Sequence, residues 1–192
     1  MKNFILASAS PRRKEIFKQI GIDIKVVESS INESISTDER PEQIAMSLAF
    51  QKAIDVSNKV DNSIIIAADT IVVKENEIIG KPKNKLDARK TLQLLSGQKH
   101  NVITGFALID NNRLTKIVDY ELTEVYFKDL DTIEIEAYLE TYEYLDKAGS
   151  YAIQGKGSLL VEKINGCYFN VVGLPISKIN DSLKKYFDIS LI

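Results

Sequence analysis

Cysteine is nearly missing from this chain of 192 residues: Cys167 stands alone, which excludes an intramolecular disulfide and any zinc site built on paired cysteines. Flanked by Tyr168 and Phe169, it reads as a packed core residue. Histidine is as scarce. His100 is the only one, so a Ser-His-Asp or Cys-His relay would have to draw on it. It precedes the apolar pair Val102–Ile103 with no nucleophile pattern around it, and reads as structural. An excess of charge is also lacking: 25 basic against 27 acidic residues leave a net charge of −2. That balance argues against a bulk electrostatic grip on nucleic acid, so any phosphate must be held by a local patch. No apolar run approaches the roughly 20 residues that cross a bilayer, so no membrane partner is expected. The first residues enter a strand pattern without signal-peptide regions, and a cytoplasmic protein is expected.

What is present is ordinary for a globular chain, at 44% apolar and 27% charged residues. No low-complexity tract, repeat or Pro/Gly/Ser linker divides it, so residues 1–192 are expected to form one domain, with room for two tightly joined lobes. Apolar patterning predicts strands over 4–7, 24–27, 64–73, 102–109, 116–127 and 158–162. Helices are predicted over 11–20, 41–60, 86–95, 132–140 and 175–187. The last carries Ile176, Ile179, Leu183 and either Tyr186 or Phe187 on one stripe. Alternating strands and helices with long central hairpin-like strands indicate an α/β fold on a mixed sheet.

Chemistry concentrates first in Ile5-Leu6-Ala7-Ser8-Ala9-Ser10-Pro11-Arg12-Arg13-Lys14. A buried strand leads to Ser10, a good N-cap, and to Pro11 at the first helical position. The following helix should bury Ile16, Phe17 and Ile20 and stop at Gly21. Arg12, Arg13 and Lys14 then crowd the positive end of the helix dipole, where cations are destabilising. Free backbone N–H groups, the Ser8 and Ser10 hydroxyls and three cations at one point make a phosphate cradle.

A second anomaly is Asp69, an acid inside the apolar strand Ile64–Val73. Burying an unpaired carboxylate is costly, so Asp69 requires a cation, a metal or a proton as companion. On a rigid strand it suits a general base or a magnesium ligand, and a structural salt bridge is the plainer alternative. Thr70 should point to the opposite face of a regular strand. Glu75-Asn76-Glu77 resembles a hairpin turn, after which Gly80-Lys81-Pro82 could bring Lys81 to the same cleft. Taken alone, Glu33 in a polar acidic loop and Lys52 in the long second helix read as surface charges. Residues 146–157 are rich in glycine without forming GxGxxG or a Walker A loop. Within them, Gln154 offers a donor and an acceptor to a nucleobase edge, or else stabilises its own loop.

SASPRR, AADTIVV, GKP, LSGQKHNVITG, DKAGSYAIQGKG and NVVGLPISK occur in this order along nearly the whole chain. Together they resemble the Maf family of nucleoside triphosphate pyrophosphatases. That resemblance implies an elongated two-lobed α/β fold, akin to inosine triphosphatases, with a mixed twisted sheet, flanking helices and a central nucleotide cleft. It implies hydrolysis of a nucleoside triphosphate to monophosphate and pyrophosphate with Mg²⁺ or Mn²⁺. Asp69 matches the family's catalytic residue, and Ser8, Arg12, Arg13, Glu33, Lys52 and Lys81 its polar cleft set, with Glu33 and Asp69 toward the metal. Arg12, Thr70 and Gln154 look like the branch acting on dTTP and UTP, whereas the branch preferring 7-methyl-GTP shows Trp, Gln and Glu there. The expected partner is a small-molecule nucleotide, a homodimer is compatible with the resemblance, and the family's name points to a role in septum formation. Three rivals remain: a non-catalytic nucleotide-binding regulator of division, a phosphatase releasing orthophosphate stepwise, and, weakest, a nucleic-acid-binding module.

Overall fold

The computed structural model describes residues 3–31, 34 and 39–192. Glu33, expected as a metal ligand, lies outside the described residues. In chain order the elements are β1 (Asn3–Ala7), α1 (Pro11–Gln19), β2 (Lys25–Val26), α2 (Pro41–Ser57), β3 (Ser63–Lys74), β4 (Glu77–Ile79) and α3 (Lys85–Leu95). They continue as β5 (Lys99–Asp110), β6 (Thr115–Phe127), α4 (Thr132–Leu139), β7 (Val161–Asn165), α5 (Tyr168–Val172) and α6 (Ile176–Phe187). Two short 3₁₀ turns, Ala148–Ser150 and Gly155–Leu159, precede β7. One seven-stranded sheet runs β2-β1-β3-β5-β6-β7, with β4 paired to β3. It is mixed: β1 is parallel to β2 and β3, while β3–β4 and β6–β7 are antiparallel. The α/β architecture expected from the sequence is the one observed.

The chain divides into two compact units, one of residues 1–69, 104–121 and 173–192, the other of 70–103 and 122–172. In the first, parallel pairing runs from Asn3↔Ser63 to Ala7↔Ala67. Ala49, Ala53 and Val56 of α2 pack with Ile5, Ala7, Ile65, Ala67, Ala107 and Ile109 of the strands. Gly105 of β5 admits this helix, because a Cβ there would lie 2.3 Å from the Ala45 carbonyl carbon and oxygen. The stripe on α6 is Ile176, Ile179, Leu183 and Phe187; Tyr186 faces out at 44% exposure.

In the second unit, Ala88, Leu92 and Leu95 of α3 share a core with Val102, Val125, Phe127, Ile135, Leu139, Tyr144 and Tyr151. Glu75 and Asn76, at φ 51° and 68°, form the two-residue β3–β4 turn, a conformation suited to a tight hairpin. His100 is 2% exposed in an aromatic nest, its ring centroid 5.1 Å from that of Phe127 and 5.4 Å from that of Tyr151. Its Nε2 lies 2.8 Å from the Tyr151 hydroxyl. Burial, reinforced by the Lys74 charge, pulls the imidazole from 6.5 down to about 4. The unfolded chain therefore binds the proton first, and stability falls as pH drops from 6.5 toward 4. At about 1.4 kcal/mol per pH decade the full loss is about 3 kcal/mol. Urea midpoints measured at pH 7 and pH 4.5 should separate for the wild type and converge in His100→Asn; equal separation in both would exclude His100 as the cause.

Four expectations need correction. Residues 158–162 are not one strand: the Ser158 hydroxyl donates to Gly155 O at 2.7 Å inside a 3₁₀ turn, and β7 starts only at Val161. Ile20 is 39% exposed, because α1 ends at Gln19 and the chain turns away through Gly21 at φ 77°. Ser10 occupies the N-cap of α1, yet its side chain makes no capping bond. Cys167 is half-buried rather than core, its backbone N–H donating to Thr123 Oγ1 at 3.0 Å.

Candidate active site

The order β2-β1-β3 means that the chain leaves β1 through α1 to one side, then returns through α2 to the other. Such a reversal opens a crevice beyond the carboxyl ends of the two adjacent parallel strands, the usual ligand position in open α/β sheets. Ser8 directly follows β1, and Asp69 lies two residues beyond Ala67, the last residue of β3 paired with β1. Both therefore stand at the same end of this strand pair.

Ser8 is 7% exposed. Its Oγ accepts the Ser10 N–H at 3.1 Å and Arg13 Nη1 at 3.2 Å. Arg13 Nε also donates to the Gly173 carbonyl at 2.7 Å. The guanidinium is thus fixed at the start of α1 rather than solvated. Arg12, next to it in sequence, is half-buried, whereas Lys14 is exposed. With no side chain capping α1, its first turn presents backbone donors next to an oriented arginine fork.

Asp69 meets Lys52, whose Nζ donates to Asp69 Oδ1. Lys52 is three residues past Ala49 and four before Val56, so it lies on the sheet-facing side of α2. Asp69 follows Ile65 and Ala67 on the matching face of β3. The pair closes the open end of that apolar layer, with side-chain exposures of 16% and 15%. A surface lysine, as the bare sequence suggested, it is not. The companion that Asp69 required is this ammonium.

In the second unit, Thr70 is half-buried, on the same face of β3 as Val72. Gly149 rests over that face: its φ is 71°, and a Cβ would come 3.0 Å from Val72 Cγ2. Gly149 N–H donates to Gly80 O at 3.2 Å, which ties the Lys81 segment to the glycine-rich loop. Lys81 is exposed, and half-buried Gln154 stands at the N-cap of the Gly155–Leu159 turn without a side-chain cap bond.

The sequence did not point to Gly173, whose carbonyl accepts from Arg13; the NVVGLPISK motif was its sole signal. Among the described residues no group of three or more His, Cys, Asp and Glu side chains could hold a metal ion. A cation carried mainly by substrate phosphates needs only one or two protein carboxylates, a demand that Asp69 can meet.

Strand-end serine, oriented arginine and a carboxylate–ammonium pair gather at the topological switch point of an α/β protein. The chain belongs to the Maf family, described as Maf-like protein, which matches residues 3–186. It is 54% identical, over all of both chains, to the dTTP/UTP pyrophosphatase of Alkaliphilus oremlandii (strain OhILAs). It is 50% identical to the dTTP/UTP pyrophosphatase of Clostridioides difficile (strain 630), over 98% of this chain and 97% of that one. Among solved structures it is similar to the Staphylococcus aureus Ham1 protein, at TM-score 0.48 and 17% identity, over 67% of this chain and 73% of that one.

Proposed function

We propose that this chain is a nucleoside triphosphate pyrophosphatase that hydrolyses dTTP and UTP to the monophosphate and pyrophosphate. The observation that carries this reading is the Lys52–Asp69 pair at the same strand end as the Ser8–Arg13 cradle. Relatives of about half-identical sequence that bear the name dTTP/UTP pyrophosphatase support the substrate class.

Arg12, Arg13, Lys52 and Lys81 neutralise the triphosphate, arginine through forked contacts and lysine as a movable point charge. Asp69 orients a water and takes its proton as the water attacks the α-phosphorus; the α–β phosphoanhydride breaks and pyrophosphate leaves. Thr70 and Gln154 hydrogen-bond the pyrimidine edge, and polar groups of that kind penalise a base that leaves them unpaired. Mg²⁺ or Mn²⁺, held by Asp69 and Glu33 together with the phosphates, would spread the charge developing on the phosphate oxygens. The enzyme works in the cytoplasm on free nucleotides, as a homodimer, and keeps modified pyrimidine nucleotides out of nucleic acids, with a secondary effect on cell division.

A panel of natural and modified triphosphates with each metal, resolving pyrophosphate from orthophosphate, tests this reading. Release of pyrophosphate from dTTP and UTP is expected. Stepwise orthophosphate would convert the enzyme into a phosphatase, and tight UTP binding without product would leave a regulator. Gln154→Glu should lower kcat/KM for dTTP and UTP by at least about tenfold more than for purine nucleotides; an unchanged profile would remove Gln154 from base recognition.

A further inference from the structure

We infer that Glu143, outside the motifs above, is a positioning residue that sets where Gln154 stands, and thereby the pyrimidine preference of the site. This inference rests on the base-reading role proposed for Gln154. The Glu143 carboxylate accepts the Lys156 N–H through Oε1 and the Gly157 N–H through Oε2, each at 3.2 Å. Gly155, between Gln154 and these amides, has φ 64°, and a Cβ there would come 2.8 Å from Oε1 and 3.0 Å from Oε2. The carboxylate thus occupies the space that a side chain at 155 would fill. Gly157 is equally confined, since its Cβ would lie 2.0 Å from Ala152 O. From the other side, the Tyr138 hydroxyl accepts the Ala152 N–H at 3.3 Å. Gln154 has no capping bond of its own, so the course of its backbone, φ −91° and ψ 166°, decides where the amide projects.

Glu143 is itself held: its N–H donates to Thr141 Oγ1 at 3.1 Å, and that hydroxyl donates to Tyr138 O at 2.6 Å. An anchored carboxylate with both oxygens spent on adjacent amides fixes a loop in a way that a carboxamide cannot. A carboxamide offers one acceptor, and its NH₂ would oppose the second N–H.

The test uses the full chain, with Glu143→Gln, Glu143→Asp, Gly155→Ala and Gln154→Ala compared. In Glu143→Gln, hydrogen exchange at the Lys156 and Gly157 amides should quicken by about tenfold, the scale of one lost hydrogen bond. KM for dTTP and UTP should rise by a similar factor with kcat nearly kept, while KM for dGTP stays unchanged. Glu143→Asp retains the carboxylate and should recover part of the preference. Gly155→Ala attacks the same clamp from the opposite side, and serves if the Glu143 variants fail to fold. A uniform loss for all three nucleotides, or an intact preference in Glu143→Gln and Gly155→Ala, overturns the inference. If Gln154→Ala abolishes the preference while those variants keep it, the clamp alone is wrong. If Gln154→Ala also keeps it, base reading by Gln154 falls, and the clamp's role falls with it.

Discussion

Asp69→Asn should still bind dTTP within a few-fold of the wild type while losing about 10²-fold or more in turnover, the scale of a missing acid–base group. The amide keeps the shape of the carboxylate and can still accept from Lys52, but it cannot take a proton from water. Binding should survive for a further reason: Lys52, no longer facing a negative oxygen on β3, is freer to meet a phosphate oxygen. A general loss of structure would weaken binding and turnover together. Calorimetric titration with nucleotide beside single-turnover kinetics separates the two cases. Turnover like that of the wild type would exclude Asp69 from the chemistry and leave the pair as a strut between α2 and β3.

Gly105→Ala carries the largest expected cost in stability, about 3 kcal/mol or more. Ordinary overpacking costs about 1–3 kcal/mol, and here the added methyl meets backbone rather than a side chain that can turn aside. Its Cβ would lie 2.3 Å from Ala45 C and O and 2.4 Å from Met46 N, so α2 must lift from β5. Activity should fall as well, because α2 also carries Lys52. Gly80→Ala is the control: nothing lies within 4 Å of its Cβ, and a change within about 0.5 kcal/mol is expected. Urea unfolding of both variants measures the contrast; a Gly105→Ala protein as stable as the control would mean that helix and sheet are not packed as described.

Apolar runs such as Ile5–Ala7 and Ile64–Ala68 were readable because a strand buried on both faces leaves its composition in the sequence. The run Leu159-Leu160-Val161 misled for the same reason. Its first residue belongs to a turn clamped by a carboxylate from Glu143, and no local pattern encodes a contact spanning more than a dozen residues. Asp69 announced its need for a companion, but Lys52 as that companion emerges only when α2 lies on the sheet. The grip on Arg13 was invisible in a stronger sense, since a carbonyl at Gly173 belongs to every residue type alike. Motif order marked the family well. The scaffolding behind the motifs was not in it.

The two compact units are stitched from alternating stretches: the polypeptide passes from one to the other after residues 69, 103, 121 and 172. Three of those passages fall inside β3, β5 and β6 rather than in linkers. No single cut can therefore release either half as a self-sufficient fragment, and neither could have been acquired as a ready-made module by simple end-to-end fusion. Closing contacts between such distant stretches delays folding, because loop entropy must be lost before pairing rewards it. Asp69 and Thr70, consecutive residues on opposite faces of one strand, fall on either side of the first passage, so one peptide bond of β3 belongs to neither unit alone.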